Sequence, residues 1–197
     1  MNRTIALLFA ILLTACGGQK KDKSAGNENA GPESGQTVPG IALSFHKAAL
    51  DGDITTVRQV LSGSINIDTL DEDGRTPLMY AAFNGHTDIA RILIEKGADV
   101  NLTDPNKRTA LMFASSGPFL ETLRLLLEHN ADPDLTDMPE HFTALMYAAA
   151  EGHLDNVRIL LTHNADPKLK DIDGDDAVTF ASNNNHKEVA DLIKSFL

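Results

Sequence analysis

The sequence predicts an all-α repeat solenoid, and three observations support this prediction. A seven-residue phrase occurs four times, with copies that begin at Thr76, Thr109, Thr143 and Asp176. The intervals between these starts are 33, 34 and 33 residues, a period typical of stacked helical units. Within the copies, apolar residues recur at helical spacing, as Leu78 and Ala81 do. A unit of this size cannot bury its apolar face alone, so several units must stack.

Each unit predicts two helices joined by a short turn. Thr76 can cap the free N–H groups at a helix start, and Pro77 fits the first helical position. Gly85 and Gly152 suit the turns between helices, and Gly97 suits a left-handed helix end. The first helices are expected at 41–50, 77–84, 110–116, 144–151 and 177–183. The second helices are expected at 54–62, 87–96, 119–129, 154–163 and 187–196.

The segments that link the units are expected to project as β-turns. An aspartate opens each one, at Asp71, Asp104, Asp137 and Asp171. The third of these turns carries one extra residue. The third unit also has Ser-Ser-Gly-Pro-Phe at 115–119 where its neighbours have a Gly-His pair, so we expect a reshaped turn between its helices.

The recurring phrase resembles that of ankyrin repeats. Thr-Pro-Leu-Met at 76–79 is similar to the family's Thr-Pro-Leu-His, and Gly-Ala-Asp-Val-Asn at 97–101 is similar to its closing phrase. The resemblance implies ankyrin repeats, each a helix-turn-helix with a β-turn finger, over residues 41–197. Five repeats are expected, with modified units at both ends, at about 41–73, 74–106, 107–140, 141–173 and 174–197.

The first residues predict a targeting signal. Arg3 is followed by the apolar run Ile5 to Leu13, which is too short to cross a membrane comfortably. The following Leu-Thr-Ala-Cys, which ends at Cys16, resembles the lipobox of bacterial lipoproteins. Residues 1–15 are therefore expected to be a lipoprotein signal peptide. The alternative is an ordinary secretory signal that is cleaved elsewhere, with Cys16 incidental.

The lipobox resemblance implies a lipid anchor. Cys16 would become the first residue of the mature protein and carry acyl chains such as palmitate, which hold a protein stably on a membrane. Residues 16–40 contain six glycines and few apolar side chains, and they are expected to form a flexible linker with a reach of about 25–30 Å. The expected location is the bacterial envelope, facing the periplasm. Gly17 after the cysteine favours the outer membrane over the inner one.

An aromatic column marks the candidate binding face. In ankyrin proteins, partners bind the concave face formed by the finger tips and the first helices. One repeat position holds an aromatic residue in four units, and two more rings lie nearby; the six are Tyr80, Phe83, Phe113, Phe142, Tyr147 and Phe180. Aromatic residues are enriched in binding hot spots. A position that is partly buried between helices would prefer the same residues, so the sequence leaves both interpretations open.

Charge constrains the partner. Residues 41–197 contain 13 Lys and Arg against 25 Asp and Glu, which gives a net charge of −12. The polar candidates beside the rings are Glu72, Asp73 and Arg108. An acidic face steers a basic protein and repels nucleic acid.

The motifs of common enzymes are absent from the sequence, and we expect no enzyme, no cofactor and no small-molecule substrate. The aspartates at 171–176 do not match a calcium loop, and no metal site is expected. The predicted function is protein–protein binding, in one version as the inhibitor of a toxin or hydrolase, as an immunity protein is. The alternative is an envelope scaffold or stress-protection factor that holds a periplasmic enzyme without inhibiting it.

Overall fold

A computed structural model describes residues 39–197, which form a row of helix pairs without any strand. The ten helices of these residues are α1 (Pro39–Asp51), α2 (Ile54–Leu61), α3 (Pro77–Phe83), α4 (Thr87–Glu95), α5 (Ala110–Ser115), α6 (Leu120–Glu128), α7 (Ala144–Glu151), α8 (Leu154–Thr162), α9 (Ala177–Asn183) and α10 (Lys187–Lys194). Odd-numbered helices pack on one another, and even-numbered helices do the same. The described part of the chain is therefore an all-α solenoid.

The predicted helix positions agree with the structure to within two residues. The first helix differs most at its start, since α1 begins at Pro39, inside the predicted linker. Proline at the first helical position explains the earlier start, because its missing N–H has no helical partner to lose there. The predicted signal peptide, Cys16 and nearly all of the predicted linker lie outside the described residues. Within residues 39–197, no helix combines the length and hydropathy needed to cross a membrane.

Side-chain caps fix where the first helices begin. The hydroxyl of Thr76 accepts a hydrogen bond from the N–H of Met79 at 3.3 Å, and Thr143 does the same for Met146. The methionine sulfur returns the contact, since Sδ of Met79 accepts from the N–H of Thr76 at 3.5 Å. Methionine thus occupies the histidine position of the family phrase and still supplies an acceptor to the N-cap residue.

The core lies between successive helix pairs. Leucines of the recurring phrase are buried in each of three units, at Leu78, Leu111 and Leu145. The alanines one turn later, Ala81, Ala114 and Ala148, are fully buried as well. Because these side chains are so small, neighbouring first helices can approach closely and exclude water.

Turns between paired helices are tied to the preceding unit. Asn84 donates to the carbonyl of Leu50 at 2.7 Å, and Nε2 of His86 hydrogen-bonds the same carbonyl at 3.0 Å. In the third unit Phe119 occupies the histidine position, and its ring lies against Gly85 and Gly117. The turn of that unit is therefore reshaped, as the sequence predicts.

A ladder of side-chain acceptors joins the units at the ends of the second helices. Asp68, Asn101 and Asp134 accept hydrogen bonds from backbone N–H groups of the next unit, at Asp99, Asp132 and Asp166 respectively. Partial burial raises the pKa of Asp68 and of Asp134, and the neighbouring carboxylates of the ladder raise each pKa further. The ladder fixes the spacing of units at some electrostatic cost.

Candidate protein-binding face

The projecting turns form four fingers, which we define as residues 70–75, 103–108, 136–142 and 170–175. An aspartate shapes each finger through one carboxylate oxygen. Oδ1 of Asp71 accepts from the N–H groups of Asp73 and Arg75 at 3.0 and 2.9 Å. The N–H of Asp71 closes the turn on the carbonyl of Arg75 at 3.1 Å. These bonds make each finger an ordered structure rather than a loose loop.

The third finger accommodates its extra residue within the same design. Oδ1 of Asp137 accepts from the N–H of Phe142 at 2.7 Å, five residues later instead of four. Each finger contains one residue in the left-handed region. It is Gly74 or Gly174 in the outer fingers, whereas Lys107 (φ 62°) and His141 (φ 65°) occupy it in the inner ones. Glycine adopts this conformation at no steric cost, so the inner fingers carry a small strain.

The second carboxylate oxygen finds a different donor in different fingers. The hydroxyl of Tyr80 donates to Oδ2 of Asp71 at 2.6 Å, and the hydroxyl of Tyr147 donates to Oδ2 of Asp137 at 2.6 Å. In the second finger the corresponding ring is that of Phe113, which has no hydroxyl. Nε and a terminal amino group of Arg108 donate to Oδ2 of Asp104 instead, at 2.8 and 2.7 Å.

The pKa is raised for three of these side chains, Tyr80, Asp137 and Tyr147. Burial raises the pKa of Asp137, against the hydrogen bonds from Tyr147 and Phe142, which lower it. Burial and the adjacent carboxylate raise the pKa of Tyr147 well above its usual range. The half-buried Tyr80 has a pKa raised to about 12, again mainly by burial. Neither tyrosine ionises near neutral pH, so both remain hydrogen-bond donors.

Aromatic rings connect the units beneath the fingers. Phe83 and Phe113 pack edge-to-face with their centroids 6.0 Å apart. Phe142 packs in the same way on Phe180 at 5.1 Å and on Tyr147 at 5.8 Å. Each of these contacts between neighbouring units, Phe83 with Phe113 and Phe142 with Phe180, adds to the stacking energy.

Two guanidinium groups continue this layer. Arg75 places its guanidinium carbon 5.8 Å from the ring centroids of both Tyr80 and Phe113. Arg108 lies 5.1 Å from the centroid of Phe113. Among residues 39–197, Nε of Arg75 is buried without a hydrogen-bond partner and lies 4.0 Å from the carboxylate of Asp104. A terminal nitrogen of Arg75 also lies 3.8 Å from the carboxylate of Asp73. Cation–π contact and attraction to these two carboxylates stabilise the positive charge of Arg75.

Comparison with protein families agrees with this architecture. The family profile for ankyrin repeats (3 copies) matches three overlapping segments, residues 45–137, 98–171 and 136–196. The chain belongs to the ankyrin-repeat family. A search of curated proteins found no match. Ankyrin repeats are typically non-enzymatic protein-binding scaffolds. The surface formed by the four fingers, which we call the finger face, is therefore a candidate site for a protein partner.

The structure corrects most of the aromatic candidates for partner contact. Phe113, Phe142, Tyr147 and Phe180 expose only 4–6% of their surface. They are packing residues of the stacked repeats, because the neighbouring unit covers the ring that a single unit would leave open. Tyr80 and Phe83 are only partly buried and remain available for contact.

The polar candidates divide in the same way. Glu72 and Asp73 are exposed on the first finger and can contact a partner. Arg108 is 5% exposed and is occupied by Asp104 and Phe113, so its prediction as a contact residue is wrong in this structure. Stacking turns the side chain inward, where it neutralises a buried carboxylate.

Sequence reasoning missed three residues of this face. Arg75 stands 33 residues before Arg108, at the same repeat position, and this register is the signal that could have revealed it. Met138 and Ile172 each follow a finger aspartate and are 48% and 61% exposed. Their shared position directly after an aspartate is the signal in the sequence that could have revealed them. Within residues 39–197 the side chains do not gather into a group that could hold a metal ion.

Proposed function

We propose that this chain is an envelope-tethered ankyrin-repeat protein that binds a basic protein through its finger face. The observation that carries the proposal is the acidic character of an ankyrin-repeat domain, −12 over residues 41–197. Exposed carboxylates stand on the first and last fingers at Glu72, Asp73 and Asp173. Clustered charges of one sign accelerate encounter with a partner of the opposite sign.

The proposal includes five repeats with both end units modified and a lipid anchor at Cys16. The five helix pairs of residues 39–197 support the repeat count. The order of Arg3, the apolar run and Leu-Thr-Ala-Cys supports the anchor. We expect labelled palmitate to be incorporated into the wild-type chain expressed in a bacterium and not into Cys16→Ser. Equal labelling of both chains would refute the anchor while leaving the binding proposal intact.

The consequence of binding in the proposal is inhibition of a secreted toxin or hydrolase. A tethered acidic binder can intercept a basic enzyme at the envelope, as an immunity protein does. An inhibitor lowers the turnover of its bound enzyme, whereas a scaffold or stress-protection factor leaves turnover intact. Steady-state kinetics of the captured enzyme, with and without the full chain, therefore decide between these two outcomes.

The partner test compares two charge-matched variants of the full chain. One replaces Glu72, Glu140 and Asp173 on the fingers by Gln, Gln and Asn. The control replaces Glu95, Glu121 and Glu128 on the second helices by Gln. Each tagged chain is incubated with a native envelope extract, and bound proteins are identified by mass spectrometry. We expect a basic protein retained by wild type and control and lost from the finger variant; equal retention by all three would contradict the proposal.

A further inference from the structure

We propose that Met138 and Ile172 form an apolar contact strip on the fingers, which receives an apolar side chain that a basic partner presents beside its cationic groups. We call these two residues the fingertip strip. The inference rests on the proposed function and adds what the partner must look like. It also places the principal contact on the third and fourth fingers rather than on the aromatic layer beneath them.

Backbone register places the two side chains alike. Met138 and Ile172 each directly follow a finger aspartate. The N–H of Met138 donates to the carbonyl of Asn106 on the preceding finger at 2.7 Å. In the same way, the N–H of Ile172 on the fourth finger donates to the carbonyl of Glu140 on the third finger at 3.0 Å. Because both backbone groups make the same bond in the same direction, the two side chains occupy equivalent places on adjacent fingers.

Exposure distinguishes the strip from the rest of the solenoid. Six large apolar residues of the described chain are well exposed, and the others are Leu43, Leu70, Phe196 and Leu197. Met138 and Ile172 are the pair among the six that stands at one repeat position in consecutive units. The equivalent residue of the second finger is the exposed Pro105, which extends the apolar edge. The backbone bonds between fingers set these exposed apolar residues at one position on three consecutive fingers, and clustered apolar surface marks interaction sites.

Charge identifies the occupant. Acidic residues flank the strip, with Glu140 on the third finger and Asp173 and Asp175 on the fourth. Two exposed lysines also lie on the fingers, Lys107 on the second and Lys170 on the fourth, and the three acidic residues outnumber them. A second copy of this domain carries the same charge of −12 and is repelled, as is an anionic lipid surface. A basic protein segment with a protruding apolar residue satisfies both parts of the site.

The test is a selection of random twelve-residue peptides, displayed on phage, against the full chain. We expect enriched peptides that combine Lys or Arg with one or two large apolar residues. The consensus peptide is then synthesised, and its dissociation constant is measured by fluorescence anisotropy. Met138→Ser/Ile172→Ser removes two apolar side chains that the bound peptide would cover, and it should weaken binding by about ten-fold or more. The control Leu43→Ser removes an apolar residue of α1 that is 69% exposed, more than either residue of the strip, and should change binding less than about two-fold.

The outcomes separate the two proposals. Basic peptides without apolar residues, bound equally well by Met138→Ser/Ile172→Ser, would overturn the strip and leave the acidic face as the proposed function. Acidic peptides, or no enrichment at all, would overturn both. Light scattering tests whether the strip instead binds a second copy of the chain. A wild-type dimer that becomes a monomer in Met138→Ser/Ile172→Ser would assign the strip to self-association and overturn the proposal.

Discussion

Three of the four finger aspartates receive a side-chain hydrogen bond on their second carboxylate oxygen, and each of these pairs is a local contribution to stability. Tyr147 and Asp137 form the more deeply buried of the two tyrosine–aspartate pairs, with 5% and 4% of their surface exposed. A hydrogen bond to a charged acceptor contributes about 1.5–3 kcal/mol when its loss leaves the acceptor buried. The pair therefore supports the third finger, which carries the extra residue and half of the fingertip strip.

We expect Tyr147→Phe to lower the free energy of unfolding by about 2 kcal/mol at pH 7. Burial raises the pKa of Asp137, so the ionised carboxylate costs stability that is regained as the pH falls. The substitution removes a donor to the ionised form and raises this pKa further. Its cost should therefore shrink as the pH is lowered from 7 to 4, because the variant takes up a proton on Asp137 more readily than the wild type does. Urea unfolding at both pH values measures this.

Tyr80→Phe is the matched control for this prediction. Tyr80 makes the same bond to Asp71, but both residues are only partly buried, so water can replace the lost donor. We expect a smaller loss that varies little with pH. Equal losses and equal pH dependence in both variants would refute the role assigned to burial of Asp137.

The last finger offers the reverse substitution. Within residues 39–197, only backbone N–H groups donate to the carboxylate of Asp171. Phe180 follows Asp171 by nine residues, as Tyr80 follows Asp71. Phe180→Tyr should supply the missing hydroxyl and raise the free energy of unfolding by about 1 kcal/mol. Phe113→Tyr is the control, since Arg108 already fills that place at Asp104; a gain there as large as at Phe180 would contradict the explanation.

Among the larger elements, the turn of the third unit depends on a glycine of the unit before it. Gly85 has φ 67°, and a Cβ added there would lie 2.2 Å from the ring of Phe119. Gly97 has φ 96° with open space around the same position. Substitution of either glycine places a Cβ in the left-handed region, which costs stability. Of the two, only Gly85 also lies against a neighbouring ring.

We expect Gly97→Ala to cost about 1 kcal/mol and Gly85→Ala to cost about 1–3 kcal/mol more. Thermal or urea unfolding measures the difference. In a Phe119→Ala background the ring is gone, so the extra cost of Gly85→Ala should largely disappear. An extra cost that persists without the ring would show that the contact with Phe119 is not its cause.

The helices and fingers could be predicted because their signals are local. Thr76, Pro77 and Gly97 act within a few residues of themselves, and a period of 33 fixes the register. The burial of the aromatic column could not be predicted from such local signals. Phe142 is buried because Phe180 of the next unit covers it, and Arg108 turns inward because Asp104 and Phe113 meet there. Such burial depends on stacking, which a single repeat does not specify.

For the whole molecule, stacking makes stability a sum of units and their interfaces, so the two ends have one interface fewer than the middle. The helices reflect this difference. All six residues of α5 are buried, as are Ala144–Ala150 of α7, whereas α9 buries three of its seven residues and α2 buries only Val57. The polar residues at 182–185 lie in the last unit, where fewer residues are buried.

Hydrogen exchange followed by mass spectrometry should therefore show a gradient along the solenoid. We expect amides of α5 and α7 to exchange more slowly than those of α2, α9 and α10 by about ten-fold or more, because the end pairs open without the middle. Phe180→Tyr should slow exchange in α9 and α10 while leaving α1 and α2 unchanged, since the new bond to Asp171 stabilises the last unit alone. Uniform protection along residues 39–197 would instead make the solenoid one cooperative unit and would exclude independent opening of its ends.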